Sequence, residues 1–147
     1  MGRHFADTSA VVKLYRNEPR SPEVQALVLP EDVIAISEFT LLEFPSAFYG
    51  MVRQGLIEPL HAEARIESFR RDLANYEVIR VTTEVLAEAE RLLDRFAVTQ
   101  GLRPPDAVQL ASAHAARAFA AVDLFLTTDS VLGECAEVCG FNVGPSR

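Results

Sequence analysis

Apolar residues recur along the chain in two periods, one typical of strands and one typical of helices. Short runs rich in β-branched and aromatic residues predict buried strands, at residues 3–7, 33–36, 77–81, 123–128 and 141–143. Longer segments repeat their apolar residues at helical spacing, at residues 10–16, 21–29, 37–55, 59–76, 84–100, 101–115 and 130–139. Strands and helices are therefore expected to alternate.

This alternation predicts the fold class. Five strands joined by helical crossovers imply a parallel sheet with helices on both faces. The chain is expected to be an α/β protein, a single three-layer α/β/α domain with a central parallel five-stranded sheet over residues 1–147. In such sheets, ligands bind at the carboxyl ends of the strands.

Several helix boundaries carry recognisable signals. Thr8 or Ser9, Ser21 and Thr83 are candidate N-caps, and Gly101 is expected to end the helix that follows Thr83. Pro45 is expected to kink or split its helix. The helix after Thr83 is predicted to bury one apolar stripe, consisting of Leu86, Ala89, Leu93, Phe96 and Ala97.

Charge and hydropathy narrow the classes of function. The net charge of −7 argues against nucleic-acid binding over a broad basic surface. It does not exclude binding by a local cluster of cations, which here would be arginines, since Lys13 is the only lysine. No apolar run approaches the roughly 18 residues of a membrane span, and the N-terminus is too short and polar for a signal peptide. The protein is expected in the cytoplasm, with no membrane association.

Four acidic residues fall near the predicted carboxyl edge of the sheet. Asp7 ends the first strand, Asp129 follows the fourth, and Glu43 lies in the helix after the second. Asp106 opens the helix that leads to the fourth strand. We expect these four carboxylates to meet in one crevice.

Each acid has a structural alternative, because acids are favoured at helix starts. Asp7 and Asp129 are candidate caps, although each has hydroxyl neighbours able to cap in its place. Thr40 and Glu43 match a capping box. Capping explains Asp106 least well, because Pro104 and Pro105 bring no N–H groups and the helix behind is apolar.

Gathered carboxylates repel one another, and a divalent cation removes that penalty. Mg²⁺ and Mn²⁺ favour carboxylate and water oxygens, and the histidines here have no mutual ligand spacing. Such a site, without a side-chain nucleophile, suits metal-activated water attacking a phosphodiester.

Four segments together resemble the PIN-domain nucleases. They are DTSA (7–10), Glu43 within LLEF, RPPDAVQLASA (103–113) and FLTTD (125–129), in that order and spacing. More narrowly, the chain resembles the VapC-type ribonuclease toxins of VapBC toxin–antitoxin pairs, over nearly its whole length.

The resemblance implies a PIN-like fold and a Mg²⁺- or Mn²⁺-dependent endoribonuclease that acts on single-stranded regions of structured RNA. It implies that Asp7, Glu43, Asp106 and Asp129 are catalytic residues and metal ligands, and that Ser9 and Thr127 orient the site. It also implies a homodimer, silenced by a cognate antitoxin that inserts a basic side chain into the crevice. Our candidates for RNA contact are Arg16, Arg20, Arg53 and Arg103. Each has the alternative of a solvated surface charge, and Arg103 has the further alternative of pairing with a site carboxylate.

Two other classes of α/β protein fit the sequence less well. A phosphoacceptor receiver domain needs paired acids after the first strand and a late lysine, and a haloacid-dehalogenase-type phosphatase needs D-x-D there; this chain has D-T-S. The remaining alternative is a non-catalytic PIN-like module for RNA binding or scaffolding. Misplacement of Glu43, which Pro45 follows by two residues, would favour it.

Overall fold

The computed structural model describes residues 1–146, so Arg147, the last residue of the predicted domain, lies outside the described residues. Within that range five strands form one sheet, β1 (Arg3–Ala6), β2 (Val33–Ser37), β3 (Tyr76–Ile79), β4 (Leu124–Leu126) and β5 (Val143–Gly144). Their order is β3-β2-β1-β4-β5, and every neighbouring pair is parallel. The order reverses between β1 and β4, which is where a parallel sheet opens a crevice.

Seven α-helices in the described range complete the fold: α1 (Thr8–Tyr15), α2 (Ser21–Leu27), α3 (Thr40–Arg53), α4 (Pro59–Asp72), α5 (Thr83–Gln100), α6 (Pro104–Phe119) and α7 (Ser130–Val138). A short 3-10 turn, Leu73–Asn75, joins α4 to β3. No helix within residues 1–146 is long and apolar enough to cross a membrane.

The two faces of the sheet carry separate cores. Phe5, Ala35 and Phe125 point to one face and pack with apolar residues of α5, α6 and α7. Their neighbours Ala6 and Leu126 point to the other face and pack with α1, α3 and α4. Successive strand residues face opposite ways, so a sheet covered on both faces needs apolar residues at consecutive positions. This arrangement confirms the predicted three-layer α/β/α class.

Helix starts differ in detail from the predictions. Asp7, rather than Thr8 or Ser9, caps α1, and Thr82, one residue earlier than predicted, caps α5. Where a cap was predicted at Ser21, its hydroxyl instead donates to the Arg16 carbonyl at 2.6 Å. At α1 and α5 two or more polar residues stand side by side, and the residue before the predicted position provides the cap; at α2 the N-cap position is Arg20, whose side chain makes no cap.

Pro45 does not split its helix, since α3 runs without interruption from Thr40 to Arg53. A proline removes one backbone donor, here the one that would reach the Leu41 carbonyl. Pro45 lies near the start of the helix, and the predicted break was wrong. Glu43 therefore lies in the first turn of an unbroken helix.

Candidate active site

Asp7 lies where β1 ends, beside the point at which the strand order reverses. Its Oδ1 accepts hydrogen bonds from the Ala10 backbone N–H at 2.9 Å and from the Ser9 hydroxyl at 2.7 Å. Its Oδ2 accepts from the Thr127 hydroxyl at 2.6 Å. The carboxylate is therefore both the cap of α1 and a fixed group at the reversal, and the two roles do not compete.

The Asp7 side chain is buried, and the residue is only 3% exposed. Burial raises the pKa of Asp7 from 3.8 to about 6, although the hydrogen bonds from Thr127, Ala10 and Ser9 favour the charged form. The negative charge of Asp129 adds to the rise. Three donors therefore compensate this buried charge only in part, and a cation nearby would complete the compensation.

Asp129 follows β4 across the same reversal. Its Oδ1 accepts from the Leu132 backbone N–H at 2.9 Å and caps α7. Its own backbone N–H donates to the Thr127 hydroxyl oxygen at 3.0 Å, so Thr127 links the two aspartates. Ser9 joins the same network by accepting from the Thr128 N–H at 3.1 Å.

Asp106 lies in the first turn of α6 and caps nothing. The N-cap position is Arg103, which makes no side-chain cap, and Pro104 and Pro105 occupy the first two helical positions. No group within residues 1–146 donates a hydrogen bond to this carboxylate. Partial burial, then the charge of Asp129, raises the pKa of Asp106 to about 6; Arg103 opposes the rise and Glu43 adds to it. Asp106 is thus a poorly compensated carboxylate held on a buried helix.

Glu43 does not form the predicted capping box. Its Oε1 instead accepts from the Thr8 hydroxyl at 2.8 Å and from the Gln109 side-chain amide at 2.7 Å. Thr40, the other half of the supposed box, is fully buried and bonds to Thr8 at 3.0 Å and Gln109 at 3.0 Å. The cluster joins α1, α3 and α6, and it holds one carboxylate oxygen of Glu43.

The four predicted acids thus influence one another electrostatically. Asp129 raises the pKa of both Asp7 and Asp106, and Glu43 raises that of Asp106. Within residues 1–146, no three Asp, Glu, His or Cys side chains are positioned to hold a metal ion as they stand. The chemistry of the donor set, carboxylate oxygens with incomplete hydrogen bonding, fits a hard divalent cation. Binding one would require the side chains to draw together.

A groove of about 420 Å³ runs along α1 and α3. Of the four acids only Glu43 lines it, together with Thr8, Ser9, Val12, Lys13, Glu18, Ser46, Ala47 and Met51. At one end of the groove, the Glu18 carboxylate forms ion pairs with Lys13 Nζ at 2.8 Å and with Arg16 Nη1 at 2.7 Å. A larger cavity of about 660 Å³ lies between α5 and α6, where its lining includes Glu88 and His114. That cavity contains none of the four acids, so the groove is the one that bears on the site.

The predicted arginines divide into two groups. The charge of Arg103 opposes the rise in the pKa of Asp106. Arg16 forms an ion pair with Glu18, which lines the groove. Arg20 instead pairs with Glu23 at 3.1 Å. Arg53 is exposed in the last turn of α3, ten residues and about 15 Å along the helix from Glu43. Of the four candidates, Arg103 acts electrostatically on a site acid, and Arg16 pairs with a residue that lines the groove.

Residues 5–137 match the family model of the PIN domain. The chain belongs to the PIN domain family. This confirms the family that the sequence motifs indicated. No curated protein matches this PIN chain in sequence.

Solved structures share the fold over nearly the whole chain. VapC20 of Mycobacterium tuberculosis, described as a sarcin-ricin loop cleaving toxin, is 20% identical with a TM-score of 0.67, covering 93% of this chain and 95% of that one. VapBC2 of Rickettsia felis, bound to a DNA fragment from its promoter, is 14% identical with a TM-score of 0.65, covering 97% of each. A toxin–antitoxin complex from Klebsiella pneumoniae is 17% identical with a TM-score of 0.56, covering 86% and 87%. At these identities the likeness is one of fold.

Four polar residues near the acids of this PIN domain were not predicted from the sequence as site residues. Thr8, Thr40 and Gln109 surround Glu43, and Lys13 lines the groove. One signal was available, since Gln109 is a polar residue three positions after Asp106 in a helix that is otherwise apolar there. That spacing places both side chains on one face of α6.

Proposed function

We propose that this PIN domain is a metal-dependent endoribonuclease that hydrolyses phosphodiester bonds in RNA. The observation that carries the proposal is Asp106. Its pKa is raised, no group within residues 1–146 donates a hydrogen bond to its carboxylate, and the negative charges of Asp129 and Glu43 repel it. A carboxylate kept in such a place is costly for the fold, and a bound cation accounts for it.

Mg²⁺ or Mn²⁺ is the proposed cofactor, with Asp7, Glu43, Asp106 and Asp129 as its ligands, directly or through water. Such an ion supplies a hydroxide near neutral pH and stabilises charge on the leaving oxygen. Ser9 and Thr127 keep the Asp7 carboxylate in one orientation, and Asp129 keeps its orientation through its bond to Leu132. These contacts preorganise the site, which limits rearrangement during reaction.

The groove along α1 and α3 is the proposed path of the RNA. Its floor is apolar at Val12 and Met51, and Lys13 and Arg16 supply positive charge at one end. Since the whole chain carries a net charge of −7, such local cations are the means by which a phosphate backbone would be held. Arg103 is proposed to contact RNA on the other side of Asp106.

We further propose that the protein is the cytoplasmic toxin of a type II toxin–antitoxin pair and acts as a homodimer. One structural neighbour is described as a cleaving toxin and another as a toxin–antitoxin complex. An antitoxin with a basic side chain would enter the acidic crevice and compensate the same carboxylates as the metal. This supports silencing by competition at the crevice.

A non-catalytic PIN-like module is the second candidate. Two observations favour it. Asp7 and Asp129 each serve as a helix cap, and among residues 1–146 no three acids are positioned to hold a metal. Neither accounts for Asp106, which caps nothing. The two candidates therefore differ in what Asp106 is for.

The test is RNA-end mapping after brief expression of the chain without an antitoxin. Wild-type protein should create new RNA ends at a restricted set of positions. Asp106→Asn should create none while remaining folded, and Asp94→Asn, which changes an exposed acid on α5, should match the wild type. Equal ends from wild type and Asp106→Asn, or no ends from a folded wild type, would support the non-catalytic module.

A further inference from the structure

Gln109 is a buried polar residue whose side-chain amide nitrogen donates to Glu43 and to the threonines beside it. The residue is 2% exposed, and its Nε2 lies 2.7 Å from Glu43 Oε1, 3.0 Å from Thr40 Oγ1 and 3.2 Å from Thr8 Oγ1. A carboxylate accepts and does not donate, so the nitrogen of the amide must face Glu43. The orientation of the Gln109 side chain is thereby fixed.

The hydrogens of this cluster can be assigned from the same constraint. The Thr8 hydroxyl donates to Glu43 Oε1 at 2.8 Å, and the Thr40 hydroxyl is then free to donate to Thr8 Oγ1 at 3.0 Å. The two N–H bonds of Gln109 serve Glu43 and Thr40, its two nearer acceptors. Every donor is used, and all of them lead directly or indirectly to one oxygen of Glu43.

The other end of the Gln109 amide shows what the residue is for. Its Oε1 is buried and accepts no hydrogen bond within residues 1–146. A buried acceptor without a donor destabilises a fold, and a leucine of similar size would fill the space without that cost. Stability alone therefore does not explain a glutamine here, whereas donation to Glu43 does.

We propose that Gln109 is the positioning residue for Glu43. By holding Oε1, together with Thr8, it presents the second carboxylate oxygen to the crevice in one orientation. The proposal rests on the proposed function insofar as Glu43 is a metal ligand. Groups that orient a ligand from behind typically change metal affinity or activity by about 10- to 100-fold when removed.

The main variant is Gln109→Leu, which keeps the size and removes the donors. The matched control is Ser112→Ala, one turn further along α6, because Ser112 is buried and bonds only to Ser37 and Val108 within the described residues. Mn²⁺ affinity of the full chain is measured by electron paramagnetic resonance of free Mn²⁺. Gln109→Leu should weaken Mn²⁺ binding by about 10- to 100-fold, and should lower kcat while KM for RNA stays the same. Ser112→Ala should leave Mn²⁺ affinity unchanged.

A double-mutant cycle separates positioning from a general structural effect. In a Glu43→Ala background, Gln109→Leu should change Mn²⁺ affinity by less than about twofold, because the group through which it acts is gone. An equal loss in both backgrounds, or unchanged Mn²⁺ affinity in the single variant, would overturn the proposal.

A metal-free readout distinguishes this proposal from the proposed function. In nuclear magnetic resonance spectra, the Gln109 side-chain amide hydrogens should exchange slowly with solvent in wild type and faster in Glu43→Ala. Wild-type protein that binds no Mn²⁺ and cleaves no RNA would refute the proposed function, while slow exchange in wild type that becomes faster in Glu43→Ala would still establish that Gln109 holds Glu43. Fast exchange in wild type would refute the Gln109 proposal whatever the metal result.

Discussion

Replacing Asp106 with asparagine should stabilise the metal-free protein while abolishing cleavage. The substitution keeps the size and shape of the side chain and removes its charge. No hydrogen bond is lost within residues 1–146, since no group in that range donates to the Asp106 carboxylate. What the variant removes is the cost of holding a half-buried negative charge near Asp129 and Glu43.

The size of the gain follows from the pKa of Asp106. Its rise from 3.8 to about 6 corresponds to at most about 3 kcal/mol at neutral pH, at about 1.36 kcal/mol for each tenfold change in the acidity constant. Because the group is partly exposed, solvent screening reduces this, and we expect about 1–2 kcal/mol. In a domain of this size each kcal/mol moves the melting temperature by about 2–4 °C, so the expected rise is about 2–8 °C.

The gain should depend on pH in a definite direction. Because the folded-state pKa of Asp106 lies above its unfolded value, the folded protein binds more protons between about pH 4 and pH 6, and its stability falls as the pH rises through that range. Asparagine does not titrate. The variant should therefore be more stable than wild type at pH 7 and equally stable below pH 4.

The assay is urea unfolding in EDTA at pH 7 and pH 4, with Asp94→Asn as the control for loss of an exposed acid. Adding Mg²⁺ at pH 7 should stabilise wild type and have much less effect on Asp106→Asn. If the variant were less stable than wild type at pH 7, or stabilised equally at both pH values, the uncompensated charge of Asp106 would not be what destabilises the metal-free protein.

Three further predictions concern other parts of the molecule. The backbone N–H groups of Leu29 and Gly2 are the main cause that lowers the pKa of Asp32 to about 2. Asp32→Asn should therefore lower the urea midpoint at pH 7, and the difference from wild type should shrink as the pH falls from 4 toward 2. An unchanged midpoint at pH 7 would contradict this. Phe44 is fully buried, and Phe44→Ala should cost about 3–5 kcal/mol in urea unfolding, whereas a cost below about 1 kcal/mol would mean that the core under α3 is loosely packed. Glu18→Gln, made in the non-cleaving Asp106→Asn background, should tighten RNA binding at low salt by releasing cations from their ion pairs; equal affinity in a filter-binding titration would exclude them from the RNA path.

Much of the fold could be predicted from the sequence, because strand patterns in a doubly covered sheet are strong. The run at residues 33–36 became Val33–Ser37, and each of the other strands appears within two residues or so of its prediction. The inward face of α5 was harder, since neighbouring positions are apolar. Leu86 was expected inside and is 51% exposed, while Val85 beside it is buried. A helical stripe defines a face only to within about one position.

The candidate site was predictable where it depends on the sheet. Asp7 and Asp129 follow neighbouring parallel strands, so their proximity follows from the topology. The capping question could not be decided from sequence, because an aspartate and a hydroxyl neighbour are both good caps. The structure shows that the two aspartates cap their helices and that the charge of Asp129 also raises the pKa of Asp7.

The surroundings of Glu43 were not predictable in the same way. The capping box is a local pattern, and the observed partners of Glu43 come from α1 and α6, at sequence separations of 35 and 66 residues. Those contacts depend on how α6 packs over the edge of the sheet. Glu43 therefore forms tertiary hydrogen bonds in place of the predicted capping box, and no spacing in the sequence indicates those bonds.

The central claim is that the carboxylate crevice holds a divalent cation and directs water at an RNA phosphodiester. It is tested most directly by incubating the antitoxin-free chain with structured RNA in H₂¹⁸O, with Mg²⁺ or Mn²⁺ titrated against EDTA, and analysing the new RNA ends by mass spectrometry. We expect metal-dependent cleavage that leaves linear phosphate ends carrying ¹⁸O from water, and none from Asp106→Asn. Cleavage that persists in excess EDTA, or that leaves 2′,3′-cyclic phosphates, would contradict it.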